Sequence, residues 1–266
     1  MKKNLFSMLV ISVLALAFVG CADPSSADPS SAGGSSYSAK YAVGDIILND
    51  GSKVNYETAK NYTGNDLDGL KDKAIAVIFR ADTASKKALG VGLKHDRSGL
   101  AWCTTSANAY DKNIETIQCP ASGDAGNLTF TVDTDGSDNL EQIASFLTEA
   151  GLADDTTGTD ADKRYPAFYF AKNYKTTATN LGAAYENGWY LPTVAELFDI
   201  WKVKATVDAA SSLCGGSQFG ESYYWSSSQF ASDDSNAYEL DFSDGGWDYN
   251  AKDSSYCYVC AVRAFN

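Results

Sequence analysis

Residues 188–197 read Gly188-Trp189-Tyr190-Leu191-Pro192-Thr193-Val194-Ala195-Glu196-Leu197, the clearest local signal in the chain. Thr193 and Glu196 have the spacing of a capping box. The hydroxyl accepts from the backbone N–H three residues on, and the carboxylate reaches back to the first N–H. Val194, Leu197, Phe198 and Trp201 then recur at helical spacing, so the helix they begin packs that stripe inward.

Downstream the pattern changes to period two. Tyr238, Leu240 and Phe242 fall on one face of a strand, with Glu239 and Asp241 on the other. Ser243-Asp244-Gly245-Gly246 supplies a turn, Trp247–Asn250 a second short strand, and Tyr256–Phe265 a last one entering the core. Upstream, Val43–Leu48, Lys73–Phe79 and Leu89–Leu93 read as strands, with Asn49-Asp50-Gly51 a strong turn signal. Asn139–Ala150 reads as an amphipathic helix capped by Asp138, lined by Leu140, Ile143, Ala144 and Leu147, and stopped by Gly151. Residues 152–164 read as an exposed loop, and Pro166 opens a partly helical segment to about Asn187. The expected fold is α+β: one domain over residues 41–266, with short mixed or antiparallel sheets and two to three helices.

Three motifs follow in order: the 188–197 segment, Tyr224-Trp225-Ser226-Ser227-Ser228, and the closing Val262-Arg263-Ala264-Phe265. With the Gly44-Asp45-Ile46 and Asp50-Gly51 start, the set resembles the formylglycine-generating-enzyme type of C-type lectin fold. It is similar in particular to the variable proteins of diversity-generating retroelements, and the resemblance implies a C-terminal variable region, here 222–265. In that family adenines of codons such as AAC and AAT are randomised, which yields Asn, Ser, Asp, Gly, Tyr, Phe, Ala and Cys but not Lys, Glu, Gln, Met or Trp.

Composition points the same way. Of the 37 residues in 222–258, 25 are Tyr, Ser, Asp, Asn or Gly, and the only base is Lys252. Tyrosine offers contact area with few rotatable bonds, and Ser, Asn and Gly offer adaptable hydrogen bonding, as in antibody paratopes. A solvated, acidic, Ser-rich surface has the same composition. Under the codon filter the expected contact residues are Phe230, Ser232, Asp233, Asp234, Ser235, Asp241, Ser243 and Asp244, followed by Asp248, Tyr249, Asp253, Ser254, Ser255, Tyr256 and Cys257. Trp225, Trp247, Lys252 and Gln229 are unreachable and belong to the framework. Glu239 is also unreachable, and its place on the strand makes it a candidate fixed contact.

The N-terminus assigns a compartment. Lys2 and Lys3, the apolar run Leu5–Val19 and Gly20-Cys21 have the form of a secretory signal peptide over residues 1–20. Phe18-Val19-Gly20-Cys21 resembles a bacterial lipobox, which implies lipidation at Cys21 and a lipid-anchored place in the bacterial cell envelope, at the outer surface. Plain secretion with an incidental cysteine is the alternative. The repeat ADPSS-ADPSS-AGGSS has nothing to bury and reads as a flexible tether over 21–40. The chain carries 21 basic and 34 acidic residues, so nucleic acid is a poor partner. Losing Lys2 and Lys3 with the signal leaves 19 against 34, a charge of −15. Export permits disulfides, and Cys103 with Cys119 is the expected pair. Cys214 with Cys257 or Cys260 stays open.

Enzymatic readings fare poorly. His95 is the single histidine, which excludes His pairs and multi-histidine zinc sites and leaves a Ser-His-Asp triad only this residue to draw on, and its neighbours Lys94 and Asp96 place it in an exposed loop. The related formylglycine-generating oxidases hold copper with two cysteines separated by four residues. Here Cys257 and Cys260 are separated by two, and Lys252 stands where the earlier cysteine belongs. Asp133-Thr134-Asp135-Gly136-Ser137-Asp138 opens like a calcium loop, but Gln142 occupies the position of the bidentate Glu. The expectation is a binding protein with no enzymatic activity, cofactor or resident metal. Its partner would be a protein or glycan on another cell or host surface. A structural or adhesion lipoprotein without a diversified site is the runner-up.

Overall fold

The computed structural model describes residues 37–153, 155–158 and 160–266. The expected signal peptide over 1–20, the expected lipidation site Cys21 and all but the last residues of the expected tether lie outside them. Among the described residues no helix is long and apolar enough to cross a membrane.

The chain opens with a hairpin of β1 (Asp45–Leu48) and β2 (Lys53–Asn55). It turns at Asn49-Asp50-Gly51, where Gly51 takes φ +87°, a conformation glycine adopts without steric cost. Helices α1 (Tyr56–Ala59) and α2 (Gly64–Lys73) lead into β3 (Ala74–Arg80), followed by β4 (Ala88–Gly92). A small ladder of β5 (Ala121–Ser122) and β6 (Thr129–Phe130) precedes α3 (Asn139–Glu149). Next come α4 (Ala161–Arg164), α5 (Pro166–Lys172), β7 (Trp189–Tyr190), α6 (Val194–Lys202) and α7 (Lys204–Leu213). Strands β8 (Tyr223–Gln229), β9 (Asn236–Asp241), β10 (Trp247–Ala251) and β11 (Val262–Phe265) complete the chain.

Six strands form one antiparallel sheet in the order β2-β1-β3-β4-β11-β7. The last strand enters the middle, with Val262 opposite Val91 on one side and Tyr190 on the other. Both faces of this sheet are covered, which is why β3 is buried over Ala74–Phe79 and reads as a continuous apolar run. Ile78 packs in one core with Trp102, Ile143, Phe168 and Trp189. Val77 and Phe79 pack in the second with Leu197, Val207 and Leu240. A separate antiparallel sheet, β10-β9-β8, joins the second core through Tyr224, Tyr238 and Leu240.

The capping box is formed as the sequence predicts. Thr193 Oγ1 accepts from the Glu196 N–H at 3.2 Å, and Glu196 Oε2 accepts from the Thr193 N–H at 2.9 Å. The carboxylate does more than cap. It also accepts from the Gly136 N–H at 3.2 Å and, through Oε1, from the Tyr190 hydroxyl at 2.8 Å. One carboxyl therefore ties β7, α6 and the turn before α3 together. Gly136 has no room for a side chain, since a Cβ there would stand 2.7 Å from the Leu191 carbonyl. Glu196 is only 1% exposed, and burial raises its pKa to about 7.

Ser226-Ser227-Ser228 makes a buried polar seam beside it. Ser228 Oγ accepts from the Val194 N–H at 3.2 Å, Ser227 Oγ from Asn139 Nδ2 at 2.9 Å, and the Ser226 carbonyl from Trp102 Nε1 at 3.0 Å. Small hydroxyls fit here because each satisfies a buried donor without needing side-chain volume.

Several expectations are corrected. Cys103, Cys119, Cys214, Cys257 and Cys260 are all buried free thiols. Cys103 and Cys119 do not pair because Cys103 packs in the core of Trp102 and Cys119 in that of Leu197. Among the described residues there are seven α-helices, not two or three. Two, α1 and α4, are single turns, and α2 carries two glycines and little apolar periodicity. Asp138 starts α3 without capping its backbone and instead accepts from Gln142 Nε2 at 2.7 Å. His95 is half-buried: its ring lies 4.6 Å from that of Phe219 and its Nδ1 is 2.9 Å from the Tyr224 hydroxyl. Burial, aided by Arg97, lowers its pKa to about 3.

Two outcomes follow. Native full-length chain treated with iodoacetamide will leave these five thiols unlabelled, and in guanidinium all five will label when mapped by peptide mass; a Cys103–Cys119 bond would protect both. The folded state holds the Glu196 proton more tightly than the unfolded chain, so this group's contribution to stability falls as pH rises from 4.5 to about 7. In urea titrations, Glu196→Gln will gain on the parent by about 2 kcal/mol between pH 5 and pH 8.

Candidate ligand-binding face

The registers of the β8–β9–β10 sheet decide which side chains stand together. Trp225 pairs with Glu239 and Tyr223 with Asp241 across one ladder, while Asp248 opposes Glu239 and Asn250 opposes Ala237 across the other. One face therefore carries Tyr223, Asp241, Asp248 and Asn250 around a floor of Trp225 and Glu239. The opposite face carries Tyr224, Tyr238, Leu240 and Trp247, directed into the second core.

The first face is a tyrosine–carboxylate surface. Tyr223 donates its hydroxyl to Asp241, and with Asp248 nearby its pKa is raised to about 12. Tyr256, 61% exposed, sets its ring 5.6 Å from that of Tyr223. At the rim the Tyr110 hydroxyl donates to Asp253 Oδ1 at 3.2 Å. Crowded carboxylates raise the pKa of neighbouring phenols because a phenolate would add like charge.

Two of the expected contact residues form the floor of this face. Glu239 is only 3% exposed and Cys257 is fully buried. The Cys257 thiol donates to Glu239 Oε2 at 2.5 Å. Burial raises the Glu239 pKa, assisted by Asp248 and Asp241, while burial and the Glu239 charge push the Cys257 thiol far above its ordinary value. Cys257 is thus an unreactive structural thiol. Cys260 lies in the other core, so these two cysteines do not converge.

The remaining expected residues divide into three places. Phe230 and Tyr249 stack at 4.1 Å on the side of Tyr238 and Trp247. Ser232, Asp233 and Asp234 are exposed in the turn before β9, where Asp233 Oδ1 accepts from the Ser235 N–H and hydroxyl at 2.9 and 2.6 Å. Ser254 and Ser255 follow β10 at this same end. Ser243 and Asp244 sit in the β9–β10 turn, closed by a bond from the Gly246 N–H to Asp244 Oδ1 at 2.8 Å. Gly245 at φ +74° lies against Trp201, where a Cβ would stand 2.4 Å from the ring. The two turns are separated by the length of β9, roughly 17 Å. The expected residues therefore spread over a surface of macromolecular dimensions.

Lys252 belongs to the framework. Its Nζ donates to the carbonyls of Ala109 and Tyr110 at 3.0 and 3.1 Å and lies 5.0 Å from the Trp102 ring centre. Burial lowers its pKa to about 8. Its own N–H donates to the Ser235 carbonyl at 2.9 Å, fixing the loop before β9. Tyr223, Asn250 and Tyr110 were missed from sequence. Tyr223 shares the parity of Trp225, but its neighbours Asp241 and Asp248 follow only from the ladder register, and nothing local places Tyr110 here.

Lys252→Ala will lower the unfolding free energy by about 3 kcal/mol in urea titrations, through the cavity and the carbonyls left without a donor, and Lys252→Met will cost less because it keeps the volume.

A fimbrial protein from Bacteroides ovatus ATCC 8483 is similar in fold, with a TM-score of 0.54 at 14% sequence identity. The match covers 85% of this chain and 49% of that one, so the chain spans about half the length of that structure. No curated protein matches. The model of the Lcl C-terminal domain family matches residues 92–263, from the end of β4 into β11. The chain belongs to the Lcl C-terminal domain family.

Proposed function

We propose that this chain is a surface-displayed, lipid-anchored binding protein whose region 222–265 forms a diversified binding site on a C-type-lectin-type scaffold, without catalysis. The observation that carries the reading is the division of labour across one sheet. Tyr223, Asp241, Asp248 and Tyr256 stand on a face whose floor, Trp225, Glu239 and Cys257, is buried and hydrogen-bonded. Side chains above such a floor can change without opening a cavity, which is what a site under diversification needs. Membership of the Lcl C-terminal domain family and the likeness to a fimbrial protein support a surface or adhesin-like role. The ligand is a protein or glycan on another cell or host surface, and the tyrosine–carboxylate face favours a partner bearing basic groups.

A second reading has specific support in the fimbrial likeness: a structural or adhesion lipoprotein of the same fold with no diversified site. A copper-dependent oxidase finds less support, since Cys257 is engaged by Glu239 and Cys260 lies in the other core.

Sequencing the DNA beyond the 3′ end of the gene separates the first two. The expected outcome is a reverse-transcriptase gene and a near-copy of the 222–265 coding segment differing at adenines. Differences will fall on the codons of Asp241, Asp248 and Tyr256 and spare those of Trp225, Glu239 and Lys252. Absence of both elements favours the second reading.

A further inference from the structure

A cleft of about 740 Å³ opens beside β7, and no residue of 222–258 lines it. Its charge is opposite to that of the chain. Arg80, Lys86 and Lys87 reach it from β3 and the loop into β4, Lys172 from α5 and Arg263 from β11. The carboxylates lining it are Asp135 and Glu141, and Glu141 is already bound to Lys172 at 2.8 Å. Five cations gathered against two acids, in a chain of 21 basic and 34 acidic residues, are a local inversion of the field.

Arg80 is paired with Asp199 at 3.5 Å and Lys172 with Glu141, which leaves Lys86, Lys87 and Arg263 as the cations of the cleft without a carboxylate partner among the described residues. Among the described residues neither Lys86 nor Lys87 has a carboxylate within ion-pair distance, and both are exposed. The Nε atoms of Arg80 and Arg263 are buried without a hydrogen-bond partner. The Arg263 guanidinium lies over Tyr185 at 4.8 Å, and its Nη2 donates to the Ala184 carbonyl at 3.1 Å rather than to a carboxylate.

The wall of the cleft is the edge of a sheet. Asn187, Gly188, Trp189, Tyr190 and Leu191 all line it, in consecutive order. Successive side chains of a strand point to opposite faces, so consecutive lining residues mean that the cleft meets β7 edge-on. The inner edge of β7 is paired to β11, and β7 is the last strand of its sheet. Gly136 closes the Leu191 end. What remains is a short edge to which no further strand is paired, flanked by lysine and arginine over a buried base of Leu89, Leu140 and Phe168.

We propose that this cleft binds a short, extended acidic peptide segment of a partner protein, which adds its backbone to the outer edge of β7 and places its carboxylates among Lys86, Lys87 and Arg263. A free phosphate or an anionic polysaccharide would use the cations but leave the N–H and C=O pattern of the edge unmatched. An acidic strand satisfies both. Arg263 and Ala264 of the cleft fall within 222–265 but on β11, away from the tyrosine–carboxylate face of β8–β10, so the proposal stands or falls independently of the function assigned to that face.

The test uses the full chain and a fluorescent peptide, N-acetyl-Glu-Val-Asp-Val-Glu-amide, followed by fluorescence anisotropy in 50 mM and 300 mM NaCl. Expected is saturable binding, weakened at least tenfold by the higher salt and at least tenfold by Lys86→Glu with Lys87→Glu. These two side chains are exposed, and an unchanged melting temperature will show that the variant is folded. The same peptide N-methylated at all of its residues, which leaves neither edge able to donate to a strand ladder, will bind at least tenfold more weakly. Failure of the parent peptide to bind overturns the proposal. Equal binding of the N-methylated peptide overturns it also, as does dextran sulfate binding at this cleft while the peptide does not, an outcome that would make it a polyanion site.

Discussion

Glu196 is a buried carboxyl with no cation beside it, and the central part of the fold converges on its two oxygens. They receive two backbone N–H groups and a tyrosine hydroxyl, from the start of α6, the turn before α3 and β7. The Thr193 hydroxyl adds a longer contact at 3.4 Å, and because burying such a group is unfavourable unless its hydrogen-bonding capacity is filled, all these donors are held in place by the same requirement. The cost of burial shows in the raised pKa. The gain is definition: a helix start, an edge strand and a distant turn share one acceptor, and shifting any of them strands a buried polar atom.

The serine seam extends this constraint toward the candidate site. Ser228 and Ser227 bond α6 and α3, and Ser226 bonds the Tyr238 carbonyl at 2.7 Å. Strand β8 is thereby fixed to the helices on its inner side, and β9 and β10 follow from it by ladder pairing. Lys252 acts in the same way at the far end of β10, where its ammonium holds the carbonyls of residues 109 and 110. The tyrosine and carboxylate face is displayed above a layer of buried polar anchoring at Trp225, Glu239 and Lys252. That face leaves its negative charge in water, while the cleft beside β7 gathers positive charge, so the molecule presents two surfaces of opposite sign built from non-overlapping residues.

Much of this was legible locally. The capping box at Thr193 and Glu196, the inward stripe of α6, the Asn49-Asp50-Gly51 hairpin turn and Gly151 ending α3 at φ +70° depend on neighbours within a few residues, and each formed as its spacing implies. The alternation in 236–242 placed Glu239 and Asp241 on one face and Tyr238 and Leu240 on the other. It did not reveal that the first face is itself partly covered. Glu239 lies beneath Asp248 and Asn250, and Cys257 enters from the chain before β11, contacts set by two ladders and a long return segment.

The sequence by itself determined the capping box and inward stripe of α6, the helix α3, the strands around Asp45–Leu48, Ala74–Arg80 and Asn236–Asp241, and the acidic tyrosine-rich character of 222–258. Only the tertiary structure decided that Cys103 and Cys119 belong to different cores, that His95 packs against Phe219 and Tyr224, that Glu196 serves three elements, and that five cations meet at the edge of β7. The reason is one of range. Caps, turns and periodicity are fixed by interactions between residues a few positions apart. Which face is covered, which thiol meets which neighbour and where charges gather depend on strand order and register, and these set distances between residues that the linear chain leaves unspecified.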